Sequence, residues 1–245
     1  MSALPGTEAR RRIYLMRHGH VDYLAKHVVA TGGVNVVPLT NRGRLQAEAA
    51  GAALAHVKFD KAVCSGYPRT HQTASYVLAA QEQPPTLEID EGLVERGNGN
   101  FPKVNSRAEL VELMRGHFSG EGVTKPGDRA IEGAELADAA QARAVKSIRR
   151  LLREPGWHTA LVVAHEGINR LLLSWACGAG ASATGAFEQD TGCINVLDFD
   201  LRSDGEIERT MIKSVNLTPY NWLKHGMNLT SLEALFERDA SEELR

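Results

Sequence analysis

A short apolar strand, a polar strand end and then a helical segment occur in that order three times in this chain, and this order constrains the fold most. The apolar runs cover residues 13–16, 62–64 and 160–164. The helical segments that follow them are predicted over residues 41–56, 69–80 and 168–175. Strands that alternate with helices indicate parallel βαβ units.

The pattern predicts an α/β fold of three layers, in which a mostly parallel central sheet is flanked by helices. A short strand at residues 87–89, a helix over residues 133–153 and a terminal hairpin of residues 196–200 and 207–213 complete the predicted elements. The sheet would be covered on both faces, which fits the nearly continuous apolar character of residues 160–164.

The length of 245 residues suits one domain, which we expect to span residues 1–245. Glycine and proline are frequent from about residue 96 to 130, which predicts a loop-rich insertion over the active site. Residues from about 214 to 245 form a C-terminal tail. Its segment Pro219-Tyr220-Asn221-Trp222 is expected to pack against the sheet, with closure over the site or a homodimer contact as alternatives.

Charge and cysteine content narrow the class of protein. Lys and Arg number 28 against 30 Asp and Glu, so a formal charge of -2 predicts neither a nucleic acid partner nor an acidic membrane partner. The three cysteines form no C-x-x-C pair, which favours a reducing compartment. Since no apolar run is long enough to span a bilayer, we expect a cytoplasmic protein.

Two arginines and two histidines follow the three strands directly. Arg17 and His18 follow the first, Arg69 begins the helix after the second, and His165 follows the third. A single histidine at a strand end is more often a hydrogen-bonded core residue, but four such groups at the ligand-binding edge of a sheet repel one another unless an anion lies among them. Phosphate is the natural anion, because arginine holds its oxygens bidentately and helix N-termini add partial positive charge.

A phosphate held in this way is exposed to attack by a neutral imidazole, which gives a phosphohistidine that water then hydrolyses. Neighbouring cations lower the pKa of the imidazole and stabilise charge on the transferring group, so neither a metal nor a cofactor is expected. The leaving oxygen needs a proton donor. Glu95, beside Arg96 at the start of the insertion, is the best-placed carboxyl group, although most glutamates are solvated surface residues.

These residues resemble the motifs of the histidine phosphatase superfamily, whose members have the phosphoglycerate mutase-like fold. The matching motifs run from residue 13 to about residue 200. They are Leu15-Met16-Arg17-His18-Gly19, Pro38-Leu39-Thr40 with Gly43, Gln46 and Ala47, Ser65-Gly66-Tyr67-Pro68-Arg69-Thr70 with Gln72-Thr73-Ala74, Leu93 with Glu95, and Val163-Ala164-His165-Glu166-Gly167 with Arg170.

The resemblance implies that His18 is the nucleophile that becomes phosphorylated. It also implies that Arg17, Arg69 and His165 complete the phosphate pocket and that Glu95 is the proton donor. The corresponding activity is that of a histidine acid phosphatase-like phosphoric monoester hydrolase with a small phosphorylated substrate.

Three further substrate contacts are expected. The family often adds phosphate contacts at the positions of Thr31 and of the backbone at Gly167. Arg96 is a candidate to bind a substrate carboxylate or second phosphate, with a surface ion pair as the alternative.

The chain also departs from the family at two places. Many members have residues that help to bind phosphate at the positions of His20, Val21 and Leu24, and an acidic residue where this chain has Val36-Val37 before Pro38.

Three other functions remain as alternatives. A phosphoglycerate mutase is less favoured, because Glu95-Arg96 is followed by Gly97-Asn98-Gly99-Asn100 and no Trp-Arg-Arg segment follows. A non-catalytic phosphate- or phosphopeptide-binding module would use the same pocket without turnover. A metal-dependent hydrolase is disfavoured, because His18 and His20 at a spacing of two and the distant His165 form no recognised ligand set.

The expected absence of a metal can be tested directly. Phosphatase activity should persist after exhaustive treatment with a chelator, because the cations needed to stabilise the phosphoryl group are supplied by arginine. Hydrolysis of p-nitrophenyl phosphate before and after chelation measures the effect. A loss of activity that an added divalent ion restores would contradict the expectation.

Overall fold

The computed structural model describes residues 9–23, 34–97, 135–230 and residue 234. Within these ranges six strands form one sheet: β1 Ala9–Arg17, β2 Lys61–Cys64, β3 Leu87–Ile89, β4 Thr159–Ala164, β5 Ile194–Leu201 and β6 Ile207–Leu217. The same ranges contain four α-helices: α1 Asn41–Leu54, α2 Pro68–Leu78, α3 Ala137–Arg153 and α4 Glu166–Ala176.

The order of strands in the sheet is β3-β2-β4-β1-β5-β6. The first four of these are parallel, β5 runs antiparallel to β1, and β6 runs antiparallel to β5. The predicted α/β class, with a mostly parallel central sheet flanked by helices, is confirmed. Because β1, β2 and β4 are parallel neighbours, the residues that follow them meet at one edge of the sheet.

Helices cover both faces of the sheet. Ile13 and Leu15 of β1 lie in a core with residues of α3 and α4, whereas Met16 lies in a second core with residues of α1 and α2. This alternation follows from the two-residue period of a strand. Residues 160–164 of β4 are all buried, which explains their uninterrupted apolar sequence.

The first strand begins at Ala9, well before its predicted start at residue 13. Arg10 and Arg12 lie opposite Asp200 and Asp198 on β5, and each guanidinium Nε lies 2.7 Å from a carboxylate oxygen. Both aspartates are buried, so the arginines supply the partners that buried carboxylates need. The prediction missed this part of the strand because it followed apolar residues alone.

Other boundaries differ by a few residues. Helices α1 and α2 end slightly before their predicted ends, and α4 begins at Glu166 rather than at residue 168. The predicted start of the helix at residue 133 lies outside the described residues, and α3 begins at Ala137. Strand β6 continues to Leu217, so the predicted tail from about residue 214 begins inside a strand.

Most of the predicted insertion lies outside the described residues, as does its position over the active site. In the described part of the tail, the Tyr220 hydroxyl donates to the Thr191 carbonyl at 2.7 Å, and the Trp222 residue is 56% exposed. The single-domain span and the homodimer contact stay predictions.

None of the helices in the described ranges combines the length and apolar character that crossing a membrane requires.

The start of α1 contacts the loop after β1 backbone to backbone. Thr40 caps α1 by accepting a hydrogen bond from the Gly43 amide at 3.1 Å. A Cβ built on Gly43 would lie 2.1 Å from the His20 carbonyl oxygen, and one on Gly19 would lie 2.4 Å from the Gly43 carbonyl oxygen. Only glycine permits this approach, which holds the loop that carries His18.

We therefore expect Gly43→Ala to lower the free energy of unfolding by about 1–3 kcal/mol, the usual cost of an overpacked site. Urea denaturation of the purified protein measures this loss. Gly97→Ala is the matched control, because its added Cβ would have the Glu135 Cβ, at 3.8 Å, as its nearest neighbour. Equal losses in the two variants would contradict the role of this backbone contact.

Candidate active site

Three parallel strands deliver the predicted pocket residues to the same edge of the sheet. Arg17 ends β1 and His18 follows it, Arg69 lies in the first turn of α2 after β2, and His165 follows β4. The ring centroids of His18 and His165 lie 5.4 Å apart. All four residues are at most 8% exposed. The structure thus brings the four together, as the topology of the predicted fold required.

The His18 ring has one tautomer that suits its surroundings. Its Nδ1 lies 2.7 Å from the Gly19 carbonyl oxygen. Because a carbonyl only accepts hydrogen bonds, Nδ1 carries the proton and Nε2 keeps its lone pair. Burial lowers the pKa of His18 well below its usual value, and the nearby charges of Arg17 and Arg69 lower it further. These effects favour the neutral imidazole, in which Nε2 carries the lone pair.

His165 is held by a short chain of hydroxyl groups. Its Nε2 lies 2.7 Å from Ser65 Oγ, Ser65 Oγ lies 2.9 Å from Thr70 Oγ1, and the Thr70 hydroxyl donates to the Tyr67 carbonyl at 2.9 Å. The arrangement that makes all three hydrogen bonds has Ser65 donating to Thr70 and His165 Nε2 donating to Ser65. Nδ1 of His165 then carries the lone pair while the ring is neutral.

The pKa of His165 lies well below its usual value, mainly because of burial and then because of His18, Arg69 and Arg17. Its Nδ1 has no hydrogen-bond partner among the described residues. A bound phosphate dianion would favour the imidazolium form, in which Nδ1 donates to a phosphate oxygen. The same pocket can therefore hold His165 neutral when empty and protonated when occupied.

Arg17 is fixed from two sides. Its Nη1 donates to the Gln189 carbonyl at 2.6 Å, and its Nη2 lies 2.9 Å from Glu166 Oε2. Asn195 supports Gln189, because its Nδ2 donates to Gln189 Oε1 at 2.8 Å. The buried Nε of Arg17 has no hydrogen-bond partner within the described ranges. A buried donor of this kind suits a site that receives an oxygen-rich ligand.

Arg69 is held against aromatic rings. Its guanidinium carbon lies 4.8 Å from the ring centroid of Tyr67 and 5.7 Å from that of Tyr23. Its Nη1 also reaches the Asn35 carbonyl oxygen at 3.5 Å. Tyr67 in turn contacts His165, with ring centroids 5.2 Å apart. The two tyrosines therefore form part of the pocket wall. Neither tyrosine was predicted from the sequence to have this role.

Glu95 lies beside the start of α4. Its Oε2 accepts a hydrogen bond from the Gly167 amide at 3.2 Å, and its Oε1 accepts one from the Arg96 amide at 2.9 Å. Burial raises the pKa of Glu95 above its ordinary value of 4.5, and the charge of Glu166 raises it further. A carboxyl group that holds its proton more strongly than usual is suited to act as a general acid.

The other three predicted substrate contacts have different outcomes. The Gly167 amide donates to Glu95 in this structure, and its phosphate contact stays a prediction. Arg96 is partly buried, and its charge lies near enough to Glu135 to lower the pKa of that carboxyl group. The contact of Arg96 with a substrate stays a prediction. Thr31 lies outside the described residues.

Arg143 of α3 supports the backbone before Glu95. Its guanidinium donates to the Gly92 carbonyl at 2.7 Å and to the Val94 carbonyl at 3.1 Å, and it forms two hydrogen bonds of 2.7 and 2.8 Å with the Glu135 carboxylate. One side chain therefore joins the residues before Glu95 to the segment that leads into α3. Nothing in the local sequence marks Arg143, because the carbonyl groups that it bonds are distant along the chain.

Glu166 was likewise singled out only as part of a motif. Its contact with Arg17 joins the third strand end to the first, which no sequence spacing indicates. Its second contact could have been predicted from the sequence, because Glu166 and Arg170 are four residues apart on α4. They form an ion pair of 2.9 Å.

Among the described residues, no group of three or more His, Cys, Asp or Glu side chains forms a candidate metal site.

Comparison with known proteins agrees with this fold. The model of the histidine phosphatase superfamily (branch 1) matches residues 13–210. The chain therefore belongs to the histidine phosphatase superfamily.

Two relatives are named phosphatases. The adenosylcobalamin/α-ribazole phosphatase of Escherichia coli is 29% identical over 190 residues, which cover 77% of this chain and 90% of that protein. The 2-carboxy-D-arabinitol-1-phosphatase of Triticum aestivum is 27% identical over 220 residues, which cover 88% of this chain and 42% of that protein. These relatives support a phosphoric monoester hydrolase.

Solved structures show the same fold. The α-ribazole phosphatase of Shigella flexneri is similar with a TM-score of 0.63 at 24% identity, over 84% of this chain and 96% of that one. A mycobacterial glucosyl-3-phosphoglycerate phosphatase is similar with a TM-score of 0.67 at 22% identity, over 84% of this chain and 99% of that one. At these identities the likeness concerns the fold alone.

Proposed function

We propose that this chain is a metal-independent phosphomonoesterase that hydrolyses a small phosphorylated metabolite through a phosphohistidine on His18. The observation that carries the proposal is the orientation of His18. Its Nδ1 proton is engaged by the Gly19 carbonyl, which leaves the Nε2 lone pair for attack. Arg17 and Arg69 lie near enough to lower the pKa of His18 and to stabilise phosphoryl oxygens.

In the first step, Nε2 of His18 attacks phosphorus, a nitrogen–phosphorus bond forms and the bond to the leaving oxygen breaks. Arg17, Arg69 and protonated His165 hold the phosphoryl oxygens. Glu95 gives its proton to the leaving oxygen, so the alcohol departs neutral. The raised pKa of Glu95 supports this role, because it keeps the carboxyl group protonated at a pH where an ordinary glutamate has ionised.

In the second step, water attacks the phosphorus of the phosphohistidine and the nitrogen–phosphorus bond breaks. The Glu95 carboxylate formed in the first step takes a proton from that water, as a general base. Inorganic phosphate leaves, and His18 returns to its neutral form. Each group thus ends the cycle in its starting state, with no metal or cofactor in the sequence of steps.

The substrate of the proposed reaction is a small molecule, and neither a nucleic acid nor a membrane is a proposed partner. The formal charge of -2 supports this, because it provides no long-range attraction to a polyanion. The names of the relatives suggest α-ribazole phosphate and 2-carboxyarabinitol 1-phosphate as the first compounds to test. We also propose that the protein is located in the cytoplasm.

The intermediate can be trapped. Brief incubation with a ³²P-labelled phosphomonoester, followed by alkaline quenching, should leave protein-bound label that alkali spares and acid releases. His18→Ala should abolish the label and reduce turnover by about 10³-fold or more, the scale on which loss of a nucleophile acts. His71→Ala is the matched control, because His71 is an exposed histidine on α2 and should retain the label. Near-normal turnover by His18→Ala would contradict the proposal.

The pH dependence should separate His18 from Glu95. The proposed first step needs neutral His18 together with protonated Glu95 and protonated His165. The lowered pKa of His18 puts the acid limb of kcat/KM below 6.5, whereas loss of the proton from Glu95, whose pKa is raised above 4.5, and from His165, whose pKa is lowered, gives the alkaline limb. Activity should therefore rise through the pKa of His18 and fall as Glu95 and His165 lose their protons.

Glu95→Gln should remove the alkaline limb that belongs to Glu95 while leaving the acid limb. An aryl phosphate with a good leaving group keeps this variant measurable, and the ionisation of the substrate itself affects both enzymes equally. An alkaline limb that is unchanged in Glu95→Gln would assign the proton donor to another group.

A further inference from the structure

A loop beside the phosphate pocket bonds to both residues at the end of β1. We call residues 189–193, which lead into β5, the support loop. The Gln189 carbonyl accepts a hydrogen bond from Arg17 Nη1 at 2.6 Å, and the Gly192 amide donates to the His18 carbonyl at 2.9 Å. The conformation of the support loop therefore determines where the proposed nucleophile and one arginine of the pocket lie.

The end of β6 holds the support loop through a reciprocal pair of hydrogen bonds. The Asp190 amide donates to Asn216 Oδ1 at 2.8 Å, and Asn216 Nδ2 donates to Asp190 Oδ2 at 2.9 Å. The Asn216 amide also donates to Asn195 Oδ1 at 2.9 Å. Because Asn195 Nδ2 donates to Gln189 Oε1 at 2.8 Å, the first two residues of the support loop are both tied to Asn216.

Asn216 lies in a β-bulge. On β5 one residue separates Ile194 from Val196, whereas two residues separate their partners on β6. The φ angle of Asn216 is 53°, in the left-handed region that few residues other than glycine adopt. Bulges commonly re-aim a side chain next to an active site, and this one aims Asn216 at the support loop.

Two residues of the C-terminal tail contact the support loop as well. Lys224 Nζ lies 2.7 Å from Asp190 Oδ2, and the Tyr220 hydroxyl donates to the Thr191 carbonyl at 2.7 Å. The Asp190 side chain is only 10% exposed, so its carboxylate depends on such partners. Lys224 also has a left-handed backbone, with a φ angle of 56°. An unfavourable conformation of this kind persists only where the surrounding contacts hold it.

We propose that Tyr220 and Lys224 are positioning residues for the phosphate pocket. They hold the support loop in the conformation that fixes Arg17 and His18, and they act on the reaction only through these two residues. Both lie beyond residue 210, where the match to the family model ends. The inference rests on the proposed phosphomonoesterase function, and it gives this part of the tail a role in that function.

The main test replaces the lysine. Lys224→Met removes the ion pair with Asp190 and keeps a side chain of similar length. With Arg17 and His18 less well fixed, kcat for p-nitrophenyl phosphate should fall by about tenfold or more, and the inhibition constant of inorganic phosphate should rise by about tenfold. Lys224→Arg should restore most of both losses, because a guanidinium also binds a carboxylate. Every variant is assayed well below its unfolding midpoint, so that loss of folded protein does not contribute.

Two further variants make the measurement specific. Tyr220→Phe removes only the hydroxyl group and should change both constants in the same direction by a smaller factor. It decides the question on the same terms if Lys224→Met does not fold. Lys213→Met is the matched control, because Lys213 is an exposed lysine on β6 and should leave both constants unchanged.

A purely structural role gives a different result. If Lys224→Met and Tyr220→Phe have lower unfolding midpoints but unchanged kcat and phosphate inhibition, the two residues serve stability alone and the inference is overturned. Losses in Lys213→Met or in Lys224→Arg as large as those in Lys224→Met would also overturn it.

Failure of this inference differs from failure of the proposed function. If the natural protein does not hydrolyse p-nitrophenyl phosphate, the proposed function is wrong, and the binding of inorganic phosphate is measured by titration calorimetry on the same variants. Weaker binding by Lys224→Met and Tyr220→Phe, with unchanged binding by Lys213→Met, then supports the positioning role, and unchanged binding by all three overturns it. A natural protein that binds no phosphate overturns both proposals.

Discussion

The burial of two guanidinium groups at one edge of the sheet is the constraint on which the rest of the site depends. A buried cation is costly unless it is paired and hydrogen-bonded. Arg17 meets this requirement through Glu166 and the Gln189 carbonyl, and Arg69 is placed against the rings of Tyr23 and Tyr67. Their charge explains much of the remaining chemistry, because it disfavours protonation of the nearby histidines and favours a phosphoryl dianion.

Many residues near the pocket serve to fix this arrangement. The Thr73 hydroxyl accepts a hydrogen bond from the Gly19 amide at 3.0 Å and donates to the Arg69 carbonyl at 2.7 Å, so one side chain joins the loop of His18 to the helix of Arg69. Gln46 accepts from the His20 amide at 2.8 Å. Electrostatic catalysis requires such preorganisation, since groups that must first reorient stabilise a transition state poorly.

The sequence predicted what depends on local pattern and topology. Apolar runs such as residues 160–164 indicated buried strands, and their parallel order was enough to bring Arg17, His18, Arg69 and His165 together. Contacts between distant segments were not predictable in the same way. Arg143 bonds to the carbonyl groups before Glu95, and Glu166 bonds to Arg17, because of where the folded backbone places them. The charged start of β1 was missed because its buried partners lie on β5.

Glu95 and Glu166 show how one pocket can give two carboxyl groups different surroundings. Glu166 contacts two arginines, whereas Glu95 is bonded by two backbone amides and has a raised pKa, mainly because of burial. Pairs whose environments differ in this way are typical of sites that divide acid and charge functions between carboxyls. The charge of Glu166 also helps Glu95 to keep its proton.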